Sequence, residues 1–139
     1  MRYLLTAVAA LAFAGPSARA QQASKAETQA VSSIVECLAE GLPEDWRRVE
    51  MIVELAKPGA ETGDVQYLVT RAEAEDEQEP FTPCDVRQPA RTMIEARKAL
   101  SPSRRNWTAA KLVLLRDGKF GLNYDYPKGL EPKPPAKKK

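Results

Sequence analysis

The sequence predicts an α+β protein: an antiparallel sheet of about four strands packed against two helices, in the order α-β-β-α-β-β. Three observations carry this. First, the apolar stretch from Thr108 to Leu115 is followed by a turn and then by Phe120, Leu122, Tyr124 and Tyr126, which alternate with Gly121, Asn123 and Asp125. That is the layout of a β-hairpin with one buried face. Second, Val49, Met51, Val53 and Leu55, and later Val65, Tyr67 and Val69, repeat the two-residue period. Third, two stretches place apolar residues at helical spacing, one before the first pair of strands and one between the pairs.

The first 20 residues stand apart from this fold. Arg2 supplies a basic start, Leu4 to Ala14 is apolar apart from Thr6, Gly15-Pro16 breaks the run, and Ala18-Arg19-Ala20 has the small-x-small form of a cleavage site. This reads as a secretory signal peptide, too short to span a membrane. Cleavage between Ala20 and Gln21 would release the remainder to the periplasm or the exterior. The residue directly after the cut is Gln21 and not a cysteine, which argues against a lipid anchor.

Residues 21–127 read as a single domain. Ser24 with Glu27 fits a capping box opening a helix. Ala30, Val31, Ile34, Cys37 and Leu38 make its apolar stripe, and Gly41 is placed to stop it. Leu42-Pro43-Glu44-Asp45-Trp46 makes a tight connection to the first strand, and a loop from Lys57 to Gly63 leads to the second, over Asp64 to Arg71. Ala72 to Pro80 carries Glu73, Glu75, Asp76, Glu77 and Glu79 and has nothing to bury, so a mobile loop is expected. Pro89 suits the first turn of a second helix, with Met93, Ile94 and Leu100 facing inward. Asp117-Gly118 suits a two-residue type I′ turn. That turn would set Leu115 opposite Phe120, Val113 opposite Leu122, and Lys111 opposite Tyr124. Residues 128–139 are rich in Lys and Pro and read as a flexible tail.

Composition narrows the function. The chain of 139 residues has 21 basic and 19 acidic side chains. Removing Arg2 and Arg19 with the leader leaves 19 of each. The tail holds five lysines, at 128, 133, 137, 138 and 139, against Glu131 alone, so the body before it is acidic. A neutral protein with an acidic body is poorly suited to nucleic acid. There is no histidine, which removes Ser-His and Cys-His catalysis and the usual zinc sites. The carboxylates Glu44, Asp45, Asp117 and Asp125 form no recognisable pair, so no catalytic residue, metal ligand or cofactor site is assigned and a non-enzymatic role is expected. The two cysteines, Cys37 and Cys84, are expected to form a disulfide in an oxidising compartment, worth about 4 kcal/mol by the chain-entropy model.

The remaining candidates concern binding. The first strand of the terminal hairpin is apolar on both sides. A helix of the same chain is the first expectation for what covers Ala110, Leu112 and Leu114, and a protein partner anchored on Leu112 and Leu114 is the alternative. Trp46 and Trp107 either plug the ends of the sheet or anchor a partner. Glu73, Glu75, Asp76, Glu77 and Glu79 either keep a loop solvated or attract a basic partner, and they lack the spacing of a calcium loop. Tyr124 and Tyr126 read as core residues flanking a solvent-facing Asp125. The lysine tail offers weak contact with anionic envelope polymers.

Leu42-Pro43-Glu44-Asp45-Trp46, followed by a strand, and the later Trp107-Thr108, Asp117-Gly118-Lys119-Phe120 and Asn123-Tyr124-Asp125-Tyr126, resemble the YezG-like immunity proteins, small α+β antitoxins of secreted polymorphic toxins. The resemblance covers the layout of residues 24–127. Members of that family lack an export signal and protect the cytoplasm, often against nucleases. For an exported relative, the resemblance implies a toxin acting in the periplasm or on the envelope. The sequence therefore leads to two expectations. One is an exported immunity protein that blocks a toxin by surface occlusion. The other is an envelope-associated structural module held by its basic tail.

Overall fold

The computed structural model describes residues 23–132. The signal peptide expected over residues 1–20, with its cleavage point, and Lys133, Lys137, Lys138 and Lys139 of the tail lie outside the described residues. The elements are α1 (Lys25–Ala39), β1 (Trp46–Leu55), β2 (Gly63–Arg71), β3 (Ala74–Pro80), α2 (Gln88–Ala96), short 3-10 turns at Arg97–Ala99 and Pro102–Arg104, β4 (Ala109–Leu115) and β5 (Phe120–Asp125). They build an α+β fold with one antiparallel sheet in the order β3-β2-β1-β4-β5. The sheet has five strands where about four were expected.

The extra strand is the acidic stretch. Ala74 to Pro80 is β3, an edge strand joined to β2 by the two residues Ala72 and Glu73. It buries almost nothing, and that was the reason for expecting a loop. An edge strand, however, needs only main-chain pairing on one side. Its hydrogen bonds occupy the polar groups that β2 would otherwise leave bare. The pairing is irregular. The single step from Thr70 to Arg71 on β2 spans Gln78 to Ala74 on β3, so Glu75, Asp76 and Glu77 have no partner on β2.

The core lies on one face of the sheet. Val49, Met51, Val53 and Leu55 of β1, Tyr67 and Val69 of β2, and Ala110, Leu112 and Leu114 of β4 are buried there against Val31, Ile34 and Leu38 of α1 and Ala90, Met93 and Ile94 of α2. The helices therefore cover the second apolar row of β4. Leu112 is 1% exposed and Leu114 5%, which places both in the core and takes them out of consideration as partner anchors. Trp107 is 0% exposed and is a core residue for the same reason.

The capping box at α1 forms as the sequence predicts: Glu27 N–H donates to Ser24 Oγ and Ser24 N–H donates to Glu27 Oε1. Gly41 acts by clearance rather than by a left-handed turn, since a Cβ there would meet Thr82 O at 1.8 Å. That clearance lets the segment returning from β3 run beside the end of α1. Here Cys84 N–H donates to Cys37 O at 2.9 Å and the two cysteines form the expected disulfide, with Cα atoms 4.9 Å apart. At α2 the first N–H groups are capped from outside the helix. Asp85 Oδ1 accepts from Arg87 N–H at 2.8 Å and Gln88 N–H at 3.1 Å, and those bonds hold its carboxyl below the usual carboxylate range.

The terminal hairpin is present, with a different register. Leu114 faces Phe120, Leu112 faces Leu122, and Ala110 faces Tyr124. Lys111 faces Asn123, so its stem does not cover Tyr124. The turn explains the one-residue shift. Gly118 N–H donates to Leu115 O at 2.8 Å, Leu115 N–H donates to Lys119 O at 2.9 Å, and Gly118 has φ +97°. This is a three-residue loop, a turn followed by a left-handed glycine, instead of the two-residue type I′ turn. The shift puts Phe120, Leu122 and Tyr124 on the same face as Leu112 and Leu114, where apolar rows meet. Lys111 lies on the opposite face. There its ammonium and the Arg48 guanidinium flank the Glu50 carboxylate, at 3.6 Å and 3.0 Å, and Glu50 is 7% exposed.

Candidate interaction surface

The structure separates the sequence candidates into two groups. Trp46 opens β1 directly opposite Arg71, the last residue of β2. Arg71 reaches both ways across this corner, to Asp45 at 2.9 Å and to Glu79 of β3. Both carboxylates, with Glu79 first, raise the basicity of its guanidinium. Arg47 lies 3.8 Å from Glu75. Arg116, in the β4–β5 loop, stacks its guanidinium over the Trp46 ring at 5.1 Å and donates to the carbonyls of Glu44 and Trp46. Trp46 is thus half-buried, braced by Arg116 and adjacent to the start of β3.

Glu73, Glu75, Asp76, Glu77 and Glu79 are all exposed at this corner. Glu75 and Glu79 have arginine partners, whereas Glu73, Asp76 and Glu77 have no ion partner among the described residues. The arginines compensate the flanks of the bulge and leave its crest negative. Among the described residues, no group of three or more His, Cys, Asp or Glu side chains is placed to hold a metal ion. The arrangement offers a fixed negative ridge beside a planar aromatic surface.

The second group surrounds Trp107 and is internal. Tyr124 stacks on Trp107 with ring centres 5.6 Å apart, and Arg104 sits over the Tyr124 ring at 5.9 Å. Glu27, 2% exposed, accepts from the Tyr124 hydroxyl and from Arg104 at 3.3 Å. The Tyr126 hydroxyl donates to Arg104 O at 3.1 Å. Burial, followed by the Glu27 contact, pushes the Tyr124 phenol far above its ordinary range, so it acts as a fixed donor. The indole N–H of Trp107 has no partner among the described residues. This network ties the start of α1 to β5 and to the 3-10 turn at Pro102–Arg104. Asp125, between the two tyrosines, is exposed.

Sequence reading identified Glu27 only as a capping residue. Its other partners, Arg104 and Tyr124, lie 77 and 97 residues away, and no local pattern announces such a contact. Arg71, Arg47 and Arg116 were likewise missed, because their roles follow from which strand ends meet.

No protein-family model matches this chain, and no curated protein matches it.

Proposed function

We propose that this protein is an exported, non-catalytic binding protein, acting as an immunity protein that neutralises a periplasm- or envelope-acting toxin by covering part of its surface. The observation that supports the reading is the corner at Trp46. A partly exposed aromatic ring, held by Arg116, adjoins a bulged strand, and Asp76 and Glu77 on that strand and Glu73 in the turn before it are not neutralised by described residues. Such a ridge speeds association with a cationic surface, and an adjacent aromatic supplies the desolvated contact that holds the complex.

The test has two stages. Tagged protein is captured from periplasmic extract and its stoichiometric partner identified. That partner is then expressed with and without this chain. Toxicity relieved by co-expression is the expected result. With the partner in hand, Glu73, Asp76 and Glu77 are each changed to Lys, leaving the arginine-paired Glu75 and Glu79 in place. Association at low salt should slow about tenfold or more. Unchanged association would remove the acidic corner from the binding surface. Recovery of cell-wall polymer in place of a protein would replace immunity with the envelope-module reading.

A further inference from the structure

The far edge of the sheet carries an inference independent of that corner. Leu115 N–H donates to Lys119 O, and Asp125 O accepts from Thr108 N–H at 2.8 Å. With the register of β4 and β5, these bonds direct the main-chain groups of Lys119, Gly121, Asn123 and Asp125 toward β4. Phe120, Leu122 and Tyr124 must then direct their N–H and C=O groups away from the sheet, and no described residue hydrogen-bonds to them. No proline and no bulge interrupts this row. Phe120 and Leu122 are only half-buried. At its two ends stand opposite charges, Lys119 and Asp125, both exposed and without an ion partner among the described residues.

We propose that the β5 edge is a strand-pairing surface for a second copy of this chain, joined antiparallel about a two-fold axis at Leu122. That axis sets Leu122 against the partner's Leu122 and Phe120 against the partner's Tyr124, and both are hydrogen-bonded positions. It forms about six main-chain hydrogen bonds and continues one sheet through both copies. The same register sets Lys119 directly opposite the partner's Asp125, twice, on the face away from the helices. Self-complementary charge at both ends of one strand is what an isologous contact requires. It identifies a second copy of this chain as the occupant ahead of an unrelated extended peptide.

The test is sedimentation equilibrium of the purified full chain over a concentration series, with Lys119→Asp, Asp125→Lys and the double swap. A dimer is expected. Each single reversal should weaken it about tenfold, because two attractive cross-strand pairs become two repulsive ones. The double swap should restore it. Leu122→Pro removes the outward N–H at the axis and no bond to β4, and it should abolish the dimer. The charge variants, on exposed side chains, keep the test free of folding defects. A monomer at every concentration overturns the proposal. So does a dimer indifferent to all the charge variants, and so does a monomer that binds an extended peptide along β5.

Discussion

The two edges of the sheet are built in opposite ways. β3 is guarded and lightly held. Five acidic residues lie along it or in the turn before it, a bulge lifts Glu75, Asp76 and Glu77 out of register, and Pro80 has no N–H to offer at an outward position. Its side chains are tied to the body through exposed arginine pairs. β5 is unguarded and deeply held. Its outward row is free of proline and charge, while Tyr124 anchors it to the buried Glu27 and stacks it on Trp107. An edge repelled from other strands can display charge at the surface without aggregating. An edge locked from behind can present its main chain to a strand of fixed register.

The largest way to break this contrast is Glu27→Ala. It removes the capping box and leaves Arg104 and the Tyr124 hydroxyl without their acceptor. Loss of one member of a buried charged pair costs about 3–5 kcal/mol. The urea midpoint should fall accordingly, with hydrogen exchange at β5 rising more than at β3. A stability unchanged by this substitution would mean that β5 is not held through Glu27.

Alkaline pH sharpens the comparison through one tyrosine near each edge. Tyr67 donates to Val86 O, and burial, with a smaller effect of Asp85, pushes its phenol up to about 12. Tyr124 is raised further, by burial and Glu27. A tyrosine whose folded pKa exceeds its unfolded value of about 10 contributes stability that is complete below pH 10. That stability is lost as pH rises through the folded value, because only the unfolded chain releases the proton easily. The melting temperature should therefore hold to about pH 10 and fall toward pH 12. Tyr67→Phe and Tyr124→Phe should each flatten the fall, and a melting temperature independent of pH over that window would contradict both assignments.

The smallest effect is expected from Arg71→Ala. Its ion pairs with Asp45 and Glu79 are about half exposed and screened by water, so their loss should cost little. The global midpoint should barely move, while amide exchange along β3 should accelerate. A large global loss would show that β3 is part of the cooperative core.

Much of this architecture was legible. Period-two alternation named β1, β2 and β5, an apolar run leading into a turn named β4, Ser24 with Glu27 named the start of α1, and a lone pair of cysteines named its own disulfide. Each signal is local or nearly unconditional, so neighbouring residues suffice to read it. β3 was not legible, because an edge strand needs no apolar face and composition registers only burial. The hairpin register was not legible either. Asp117-Gly118 fits two turn lengths, and the choice between them lies with the apolar rows that must meet across β4 and β5.

The sequence by itself determined the class of fold, the number of helices, the covalent link and the exclusion of histidine chemistry. These follow from periodicity, residue identity and count. Only the tertiary structure decided which apolar residues are covered, that Trp46 is half-exposed while Trp107 is sealed, and that the acidic run becomes a guarded edge. The reason is that burial and strand position depend on partners tens of residues away. A side chain's role as anchor, brace or core is set by what the folded chain brings against it.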